Sequence, residues 1–393
     1  MTGPNLFLIA GEPSGDALGA ALMAGLRDLS SGDLSPGDLS AGLRLTGVGG
    51  PLMEGQGLAS RFPMEELSVM GLLEVLPKLP RLKARIRQTA DAVLASGADA
   101  LVTIDSPDFC LRVAGLVRAS RPEFRTIHYV APTVWAWRPG RAAKMAPIID
   151  HVLALFPFEP PLMEAAGMSC DFVGHPAAHA PRATPAEAAA FRATNAIPPD
   201  APLLLLLPGS RMGEVTRLLP RFRETLALLR DRHPGVRAVL PTVRGTEPMV
   251  RKALAAEATA PLILTDADAK RAAFAAADLA LAASGTVSLE LARNRVPMVI
   301  GHDFNRLTFT LMRRAALIDT VTLVNIVSDT RAVPEFLGPA CRPPAMAGAL
   351  DRILSDPDAR AVQRQAADLT MARLGEEDEN PGLRAARSVL AHI

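Results

Sequence analysis

Asp105 combines a reactive residue type with a position suited to catalysis. It follows the apolar run Ala100–Ile104, which predicts a buried strand, so its carboxylate lies at the carboxyl end of that strand. A carboxylate at such an edge can act as a general base and take the proton from an attacking hydroxyl. A turn or a helix cap is the alternative, although Asp108, which follows Pro107, fits that role better. The position alone leaves both interpretations open.

A second candidate is the turn Gly11-Glu12-Pro13-Ser14-Gly15-Asp16. It lies between a predicted first strand, residues 6–10, and a helix predicted to start near Ala17. A strand-to-helix turn with two glycines exposes backbone amides at the positive end of a helix, where sugar hydroxyls or phosphate can bind. The alternative is that Asp16 caps the helix and the glycines permit close packing. The turn lacks the GxGxxG spacing, so it does not imply a dinucleotide.

Both tryptophans and the only tyrosine lie within ten residues, at Tyr129, Trp135 and Trp137. An aromatic face can stack on a sugar ring or contact an acyl chain, and it can equally anchor a loop on the core. His128 and His175 lie at strand ends, but neither has a partner at metal-ligand spacing. We expect both histidines to have core or hydrogen-bonding roles.

In the second half of the chain, Ser210 and Arg211 follow the predicted strand Leu203–Leu207, and Glu214 leads into a helix. The fork of an arginine side chain can bridge the oxygens of a pyrophosphate while nearby backbone amides donate to them. A surface arginine is the alternative.

A similar turn, Ser284-Gly285-Thr286, follows another predicted strand and opens a helix that carries Glu290. Glu290 lies four residues beyond Thr286 and hence on the same side of that helix. Small residues let a backbone approach phosphate closely, and a carboxylate one turn along can accept hydrogen bonds from ribose hydroxyls. Two such turns in one sheet predict a nucleotide site. We expect no metal or other cofactor, so Arg211 and helix-end amides would stabilise the departing nucleotide.

The stretch of residues 67–82 is strongly apolar and is followed by Lys83, Arg85 and Arg87. Apolar side chains beside a basic cluster can rest on an anionic bilayer. A buried helix with a solvated basic end is the alternative, and the residues alone favour it.

The composition sets the class of protein. A chain of 393 residues predicts two domains, and 49% apolar residues with 4% aromatics favour α/β domains with buried parallel sheets. Lys and Arg number 42 against 41 for Asp and Glu, which argues against a nucleic-acid partner. Cys110, Cys170 and Cys341 lack CxxC spacing, so we expect free thiols in a reducing compartment. No window approaches a membrane span, so any membrane contact would be peripheral.

Short apolar runs alternate with helical stretches in two series. The predicted strands are residues 6–10, 43–46, 100–104, 126–130 and 151–155 in the first series, and residues 203–207, 238–240, 262–264, 279–282 and 298–300 in the second. A Pro- and Ala-rich stretch separates the series, so we place the boundary near residue 178. Each series predicts one open parallel sheet, with its ligands at the carboxyl ends of the strands.

An ordered set of short motifs runs through nearly the whole chain. It comprises residues 11–16, 68–71, 104–109, 128–130, 134–138, 156–159, 174–176, 208–211 and 284–286. The set resembles the lipid-A-disaccharide synthase family. The resemblance implies a GT-B fold, in which two Rossmann-like parallel-sheet domains face each other across a cleft. The implied domains are residues 1–177 for the acceptor, residues 178–356 for the UDP-sugar donor, and a helical segment, residues 357–393, that packs on the first domain or is exchanged in a dimer.

The resemblance also implies an activity. Family members transfer 2,3-diacylglucosamine from its UDP derivative to 2,3-diacylglucosamine 1-phosphate, called lipid X, and release UDP. The expected product is a β-1,6-linked disaccharide, formed with inversion, for which one base suffices, and Asp105 matches the family aspartate in that role. The implied location is the cytoplasmic face of the inner membrane, with a homodimer as a possible assembly.

Individual site residues follow from the same resemblance. Acceptor or sugar contacts fall on Glu12, Ser14, Gly15, Asp16 and Trp135. UDP contacts fall on Ser210, Arg211, Glu214, Ser284, Gly285, Thr286, Glu290 and Asn325. Membrane or acyl-chain contacts fall on Val69, Met70, Leu72, Leu73, Val75 and Leu76. The family usually has Leu-Pro-Asn where this chain has Val324-Asn325-Ile326.

Three other functions fit parts of the sequence. A different GT-B transferase, such as one acting on undecaprenyl-linked muramyl peptide, or a UDP-GlcNAc 2-epimerase would share the UDP half. An epimerase would not need the apolar stretch of residues 67–82. A non-catalytic nucleotide-sugar-binding or membrane-scaffold protein is the third possibility, and only turnover separates it from an enzyme.

Overall fold

The computed structural model describes residues 3–31, 42–67, 72–257, 259–303 and 314–393. The chain forms two compact units. Unit 1 comprises Met1–Pro176 with Glu377–Ile393, and unit 2 comprises Ala177–Glu376. The first boundary lies within two residues of the predicted position. The second does not match the prediction, because the chain returns to unit 1 after residue 376 rather than after residue 356.

Within its described ranges, unit 1 contains a parallel sheet of six strands in the order β2-β1-β3-β4-β5-β6. The strands are β1 Asn5–Ala10, β2 Arg44–Val48, β3 Ala100–Ile104, β4 Arg125–Tyr129, β5 His151–Ala154 and β6 Ser169–Phe172. Every residue of β1 and β3 is buried, as expected for strands covered by helices on both faces. Ala10 pairs with Ile104, and Ile104 pairs with Tyr129, so the turns after β1, β3 and β4 leave the sheet at one level.

The described helices before the second unit are α1 Pro13–Ser31, α2 Pro51–Gly55, α3 Leu72–Ala95, α4 Pro107–Ser120, α5 Gly140–Met145 and α6 Pro160–Glu164, and the short helix α7 Pro176–His179 spans the boundary between the units. Helix α1 begins at Pro13, earlier than predicted, because proline suits the first position of a helix. A single 3₁₀ turn covers Met64–Glu66.

Unit 2 contains a second parallel sheet of six strands, in the order β12-β11-β10-β7-β8-β9. The strands are β7 Leu203–Leu207, β8 Arg237–Pro241, β9 Leu262–Leu264, β10 Leu279–Ala282, β11 Met298–His302 and β12 Glu335–Leu337. The sequence did not predict β12, which is a three-residue edge strand, only partly buried, with no apolar run to mark it. The helices in the described part of this unit are α8 Pro185–Thr194, α9 Met212–Arg232, α10 Glu247–Leu254, α11 Ala267–Ala276, α12 Val287–Arg293, α13 Leu323–Ser328, α14 Pro343–Ser355 and α15 Pro357–Arg373, with a 3₁₀ turn at Gly338–Ala340.

The predicted C-terminal segment divides between the units. Helix α15 belongs to unit 2: Thr370 and Arg373 donate to the carbonyl oxygens of Val324 and Val327, at 3.3 and 2.7 Å. The last helix, α16 Pro381–Ala391, belongs to unit 1 and packs on α1. Gly382 permits this contact, because a Cβ there would lie 2.5 Å from the carbonyl oxygen of Ala21.

The α/β prediction is confirmed, and so is the arrangement in two parallel sheets. Predicted bounds match the structure at β3, β7, β9 and β10, where apolar runs end at polar or small turn residues. In the ranges that the structure describes, no helix has the length and apolar character that a membrane span requires.

Candidate functional site

Asp105 begins a strained turn at the carboxyl end of β3. Asp105 and Ser106 both adopt left-handed backbone conformations, with φ of 53° and 43°. Two consecutive non-glycine residues in this region are uncommon, and such strain concentrates at functional sites. The backbone N–H of Asp105 donates to the carbonyl oxygen of Tyr129 at 2.9 Å, which fixes the turn to β4.

The turn after β1 contacts Asp105 directly. Ser14 Oγ donates to Asp105 Oδ2 at 2.8 Å. Gly15 allows this approach, since a Cβ there would lie 3.0 Å from the carbonyl oxygen of Ile104. Glu12 is half-buried in the same turn. Ser14 and Gly15 therefore belong to one site with Asp105, although Ser14 and Asp105 lie 91 residues apart in the sequence, in two separate candidate turns.

Asp16 does not belong to that site. Its side chain is 2% exposed, and its carboxylate accepts hydrogen bonds from the backbone N–H groups of Gly50, Leu52 and Met53 at 2.9–3.0 Å. These groups form the start of α2, where a carboxylate satisfies free amides and the positive helix end. The prediction that Asp16 contacts a sugar is therefore wrong: the residue holds α2 against α1.

His128 lies in β4 and is buried. Its Nδ1 is 2.7 Å from Thr103 Oγ1, which lies opposite it in β3. Burial lowers the pKa of His128 to about 4, although the charge of Asp105 acts in the opposite direction. The imidazole is therefore neutral near pH 7, in agreement with the predicted hydrogen-bonding role.

Trp135 lies in the loop after β4 and is half-buried. Its Nε1–H donates to Glu159 Oε1 at 3.1 Å, and its ring meets the rings of Phe156 and Phe158 edge-on. Trp137 bonds within its own loop, to Thr133 Oγ1 at 3.2 Å. Trp135 thus lies at the same carboxyl edge of the sheet as Asp105, while Trp137 stabilises the loop.

Unit 2 contains a pocket of about 410 Å³ at the carboxyl ends of β7, β8 and β10. Both predicted phosphate-binding turns line it, with Ser210, Arg211, Glu214, Ser284, Gly285, Thr286 and Glu290 in its wall. Gly209 adopts a φ of +106°, and a Cβ there would lie 2.5 Å from Glu214 Oε2. The turn therefore requires glycine for its conformation and for the close approach of Glu214.

The charged groups of the pocket form two pairs. Arg211 Nη1 is 3.4 Å from Glu214 Oε1, and the Arg211 side chain is 63% exposed. Lys270 Nζ is 2.7 Å from Glu290 Oε2. Both cations are accessible enough to exchange a carboxylate partner for a phosphate.

Sequence reasoning missed Lys270 and Thr242 in the wall of this pocket. Lys270 lies on α11 next to Arg271, which instead pairs with Glu187 and Asp268 away from the pocket. The sequence does not show which of these two adjacent cations faces the pocket, because this depends on how the helix is rotated about its axis.

Asn325 does not line the pocket. It is 1% exposed, its Nδ2 donates to the carbonyl oxygen of Val333 at 2.9 Å, and its Oδ1 accepts from the backbone N–H of Val333 at 3.0 Å. The side chain therefore holds α13 against Val333, which lies shortly before β12. The predicted UDP contact is wrong for this residue, whose polar atoms are used inside the fold.

Two Asp-x-Asp pairs occur in unit 2, and the first aspartate of each pair caps a helix. Asp266 Oδ1 accepts from Ala269 N at 2.8 Å and caps α11, and Asp356 Oδ1 accepts from Asp358 N at 2.9 Å and caps α15. Capping accounts for both positions.

One group in the described ranges, His151, Asp171 and His392, has the composition of a metal site. The two ring nitrogens of His151 already bond to Ser169 Oγ and Ser388 Oγ, each at 2.8 Å, and Ser388 Oγ donates to Asp171 Oδ2 at 2.6 Å. The His392 ring stacks on His151 at 3.6 Å. This network holds α16 against β5 and β6.

The predicted membrane contacts cannot be placed in full. Val69 and Met70 lie outside the described residues. Leu72, Leu73, Val75 and Leu76 belong to α3 by their backbone, and their side chains lie outside the description. These residues stay a prediction.

The fold defines the class. The chain is similar to a UDP-N-acetylglucosamine 2-epimerase from Listeria monocytogenes, described as putative, with a TM-score of 0.61, 12% identity and coverage of 100% of this chain and 95% of the other. It is similar to the calicheamicin glycosyltransferase CalG4, with a TM-score of 0.58, 16% identity and coverage of 100% and 98%. These structures share the GT-B-like fold of this chain, as the sequence predicted.

The family is defined by sequence. The model of the family described as Lipid-A-disaccharide synthetase matches residues 6–388. A lipid-A-disaccharide synthase of Ruegeria pomeroyi is 56% identical over 99% of this chain and 95% of its own length, and one of Rhodospirillum centenum is 49% identical over 98% and 94%. The chain belongs to the lipid-A-disaccharide synthase family and is a glycosyltransferase with that activity.

Proposed function

We propose that the chain transfers 2,3-diacylglucosamine from its UDP derivative to lipid X and forms the β-1,6 disaccharide 1-phosphate with release of UDP. The observation that carries this proposal is the pocket of unit 2, about 410 Å³ in volume, which is lined by both turns that the sequence predicts to bind phosphate. Its size, and the cations and hydroxyl groups in its wall, suit a nucleoside diphosphate. The reaction also requires a base, and the turn of unit 1 that contains Asp105 supplies it.

In this proposal unit 2 binds the UDP group. Arg211 and the amides of the turns at Ser210 and Ser284 donate to the pyrophosphate, while Glu290 accepts from the ribose hydroxyls. Thr286 lies where α12 begins, so its backbone adds to the positive end of that helix. These donors stabilise the charge that develops on UDP as it leaves.

Asp105 is the proposed general base. Its carboxylate takes the proton from the 6-hydroxyl of lipid X, that oxygen bonds to the anomeric carbon of the donor, and the bond from this carbon to UDP breaks with its electron pair on UDP. The configuration inverts in one displacement. Ser14 donates to Oδ2 and orients the carboxylate, which leaves the other oxygen for the hydroxyl.

Peripheral binding at the cytoplasmic face of the inner membrane is part of the proposal. Both substrates carry acyl chains, and α3 continues from the apolar stretch into exposed Arg81, Lys83 and Arg87. Such a basic end favours an anionic surface. The homodimer suggested by the family stays a prediction.

Turnover tests the function. The purified chain is incubated in detergent with UDP-2,3-diacylglucosamine and lipid X, with EDTA present, and both the disaccharide and UDP are measured. We expect the two products in equal amounts. Absence of disaccharide in an otherwise folded protein would contradict the assignment of substrates, whereas activity that EDTA abolishes would contradict only the metal-independent transfer.

A further inference from the structure

Glu159 is a buried carboxylate that the proposed chemistry does not use. Its side chain is 2% exposed. Oε2 accepts from the backbone N–H groups of Leu155 and Phe156 at 3.1 and 3.0 Å, and Oε1 accepts from Trp135 Nε1 at 3.1 Å. One carboxylate therefore connects the loop after β4 to the turn after β5.

Two phenylalanine rings beside this carboxylate pack against the Trp135 indole in a T-shaped arrangement. Trp135 meets Phe156 at 6.1 Å and an interplanar angle of 74°, and Phe158 at 5.3 Å and 79°. Phe156 and Phe158 stack on each other at 5.5 Å. Edge-to-face packing of this kind fixes the plane of a ring, while the bond to Glu159 fixes its rotation within that plane. The segment 156–159 thus supplies both the packing and the anchor.

The charge of Glu159 is stabilised by hydrogen-bond donors. Burial raises the pKa of Glu159 to about 7, and the bonds from Trp135, Phe156 and Leu155 act against that rise. Two described titratable neighbours are uncharged near pH 7: burial raises the pKa of the Cys170 thiol, and burial lowers the pKa of His175, which packs on Phe156, to about 4. The hydrogen bond from Trp135 to the ionised Glu159 carboxylate is therefore strong at pH 8 and is lost progressively below pH 7.

We propose that Glu159 is a positioning residue for the acceptor: its carboxylate holds the Trp135 indole at the carboxyl edge of the unit 1 sheet, where the ring stacks on the acceptor sugar. The inference rests on the proposed function, because it takes lipid X as the acceptor. Glu159 does not touch the substrate. It acts through Trp135 and sets how well the acceptor is bound, while the base and the UDP pocket are unchanged.

Glu159→Gln tests the anchor by kinetics. Glutamine has the same shape, but its amide nitrogen presents N–H groups to N–H donors and cannot accept from them. We expect the KM for lipid X to rise about tenfold, which corresponds to about 1.4 kcal/mol, with the KM for the donor and the affinity for UDP unchanged. Glu164→Gln, an exposed residue of α6, is the matched control and should keep all three values. An unchanged KM for lipid X in Glu159→Gln would overturn the inference.

The pH profile gives a second signature. In the wild type the KM for lipid X should rise as the pH falls through about 7, the value to which burial raises the pKa of Glu159. In Glu159→Gln the KM should be high at all pH values and lose this step. If Glu159→Gln does not fold, Trp135→Phe breaks the same bond from the other partner and should raise the KM and remove the step. A step that persists in either variant would overturn the role of Glu159.

Fluorescence tests the anchor without turnover. The chain has two tryptophans, so Trp137→Phe leaves Trp135 as the only source of tryptophan emission. Its emission should shift between pH 8 and pH 6, and the shift should be absent from Trp137→Phe/Glu159→Gln. A missing shift in the first variant would overturn the anchor. A wild-type protein that forms no disaccharide would instead overturn the proposed function, so the two failures are distinguishable.

Discussion

The carboxyl edges of the two sheets are built by different means. In unit 1 the turn at Asp105 is strained without glycine, and buried groups such as His128 and Glu159 hold its surroundings. In unit 2 the turns at Gly209 and Gly285 border an open pocket whose charged side chains are paired, with Arg211 exposed and the other three partly buried. A pocket for a phosphate group needs accessible amides and cations, whereas a base needs a fixed direction. The difference predicts that substitution of the base in unit 1 lowers turnover without weakening UDP binding, and that substitutions in the pocket of unit 2 weaken UDP binding.

The largest effect should follow from Asp105→Asn. The amide keeps the shape of the carboxylate but cannot take a proton, and general-base catalysis typically contributes about 10²–10⁴-fold. We therefore expect turnover to fall about 10³-fold, measured as disaccharide formed per minute. Asp108→Asn, at an exposed position in the first turn of α4, is the control. Wild-type turnover in Asp105→Asn would exclude Asp105 as the base.

Arg211→Ala should weaken UDP binding with a smaller effect on turnover at saturating donor. Hydrogen bonds to charged groups contribute about 1.5–3 kcal/mol, which corresponds to about 10- to 100-fold in affinity. Arg217→Ala, an exposed arginine on the same helix, should bind UDP as the wild type does. UDP affinity is measured by calorimetry. Equal affinities for UDP in the two variants would show that Arg211 does not bind UDP.

Acid should destabilise unit 1. Burial lowers the pKa of His128, His151 and His175 to about 4, so the unfolded chain takes up protons below pH 6.5 that the folded unit does not. Glu159 acts in the opposite direction, since its pKa is raised to about 7 and its folded form binds a proton first. The net loss of unfolding free energy from pH 7.5 to pH 5.5 is on the order of 2 kcal/mol.

Urea unfolding followed by tryptophan emission measures this loss, because Trp135 and Trp137 both lie in unit 1. Glu159→Gln should increase the loss of unfolding free energy, because the protonation of Glu159 that offsets part of this loss is removed. Stability that stays constant between pH 7.5 and pH 5.5 would contradict the assignment of neutral, buried histidines.

The smallest effect should follow from Lys270→Ala. The Lys270–Glu290 pair is partly exposed, and such pairs contribute about 1 kcal/mol or less. We expect UDP affinity to fall a few-fold, because an unpaired Glu290 adds negative charge to the pocket. Arg271→Ala, which removes the neighbouring cation, should leave UDP affinity unchanged. An effect as large as that of Arg211→Ala would show that Lys270 contacts the diphosphate itself.

The local pattern of residues predicted most of the strands and the two turns that line the pocket of unit 2. Apolar runs such as Leu203–Leu207 predict buried strands because a run of this kind has no polar face to expose. The turns at Ser210 and Ser284 could be recognised for the same reason: each follows such a strand directly. The edge strand Glu335–Leu337 carries no run and was missed.

Contacts between distant segments could not be predicted. Asp16 and Asn325 have the residue types of binding groups, yet the first holds α2 and the second clamps Val333. Glu159 lies 24 residues from Trp135, and nothing in the sequence joins them. Burial decides whether a polar side chain meets a ligand or its own fold, and burial depends on the packing of whole helices and strands.

The division of labour between the units is tested most directly by measuring UDP affinity and turnover together in Asp105→Asn and Arg211→Ala. We predict that Asp105→Asn binds UDP as the wild type does and turns over about 10³-fold more slowly, while Arg211→Ala loses affinity and keeps most of its turnover at saturating donor. Parallel losses of affinity and turnover in both variants would contradict the separation of base and nucleotide site.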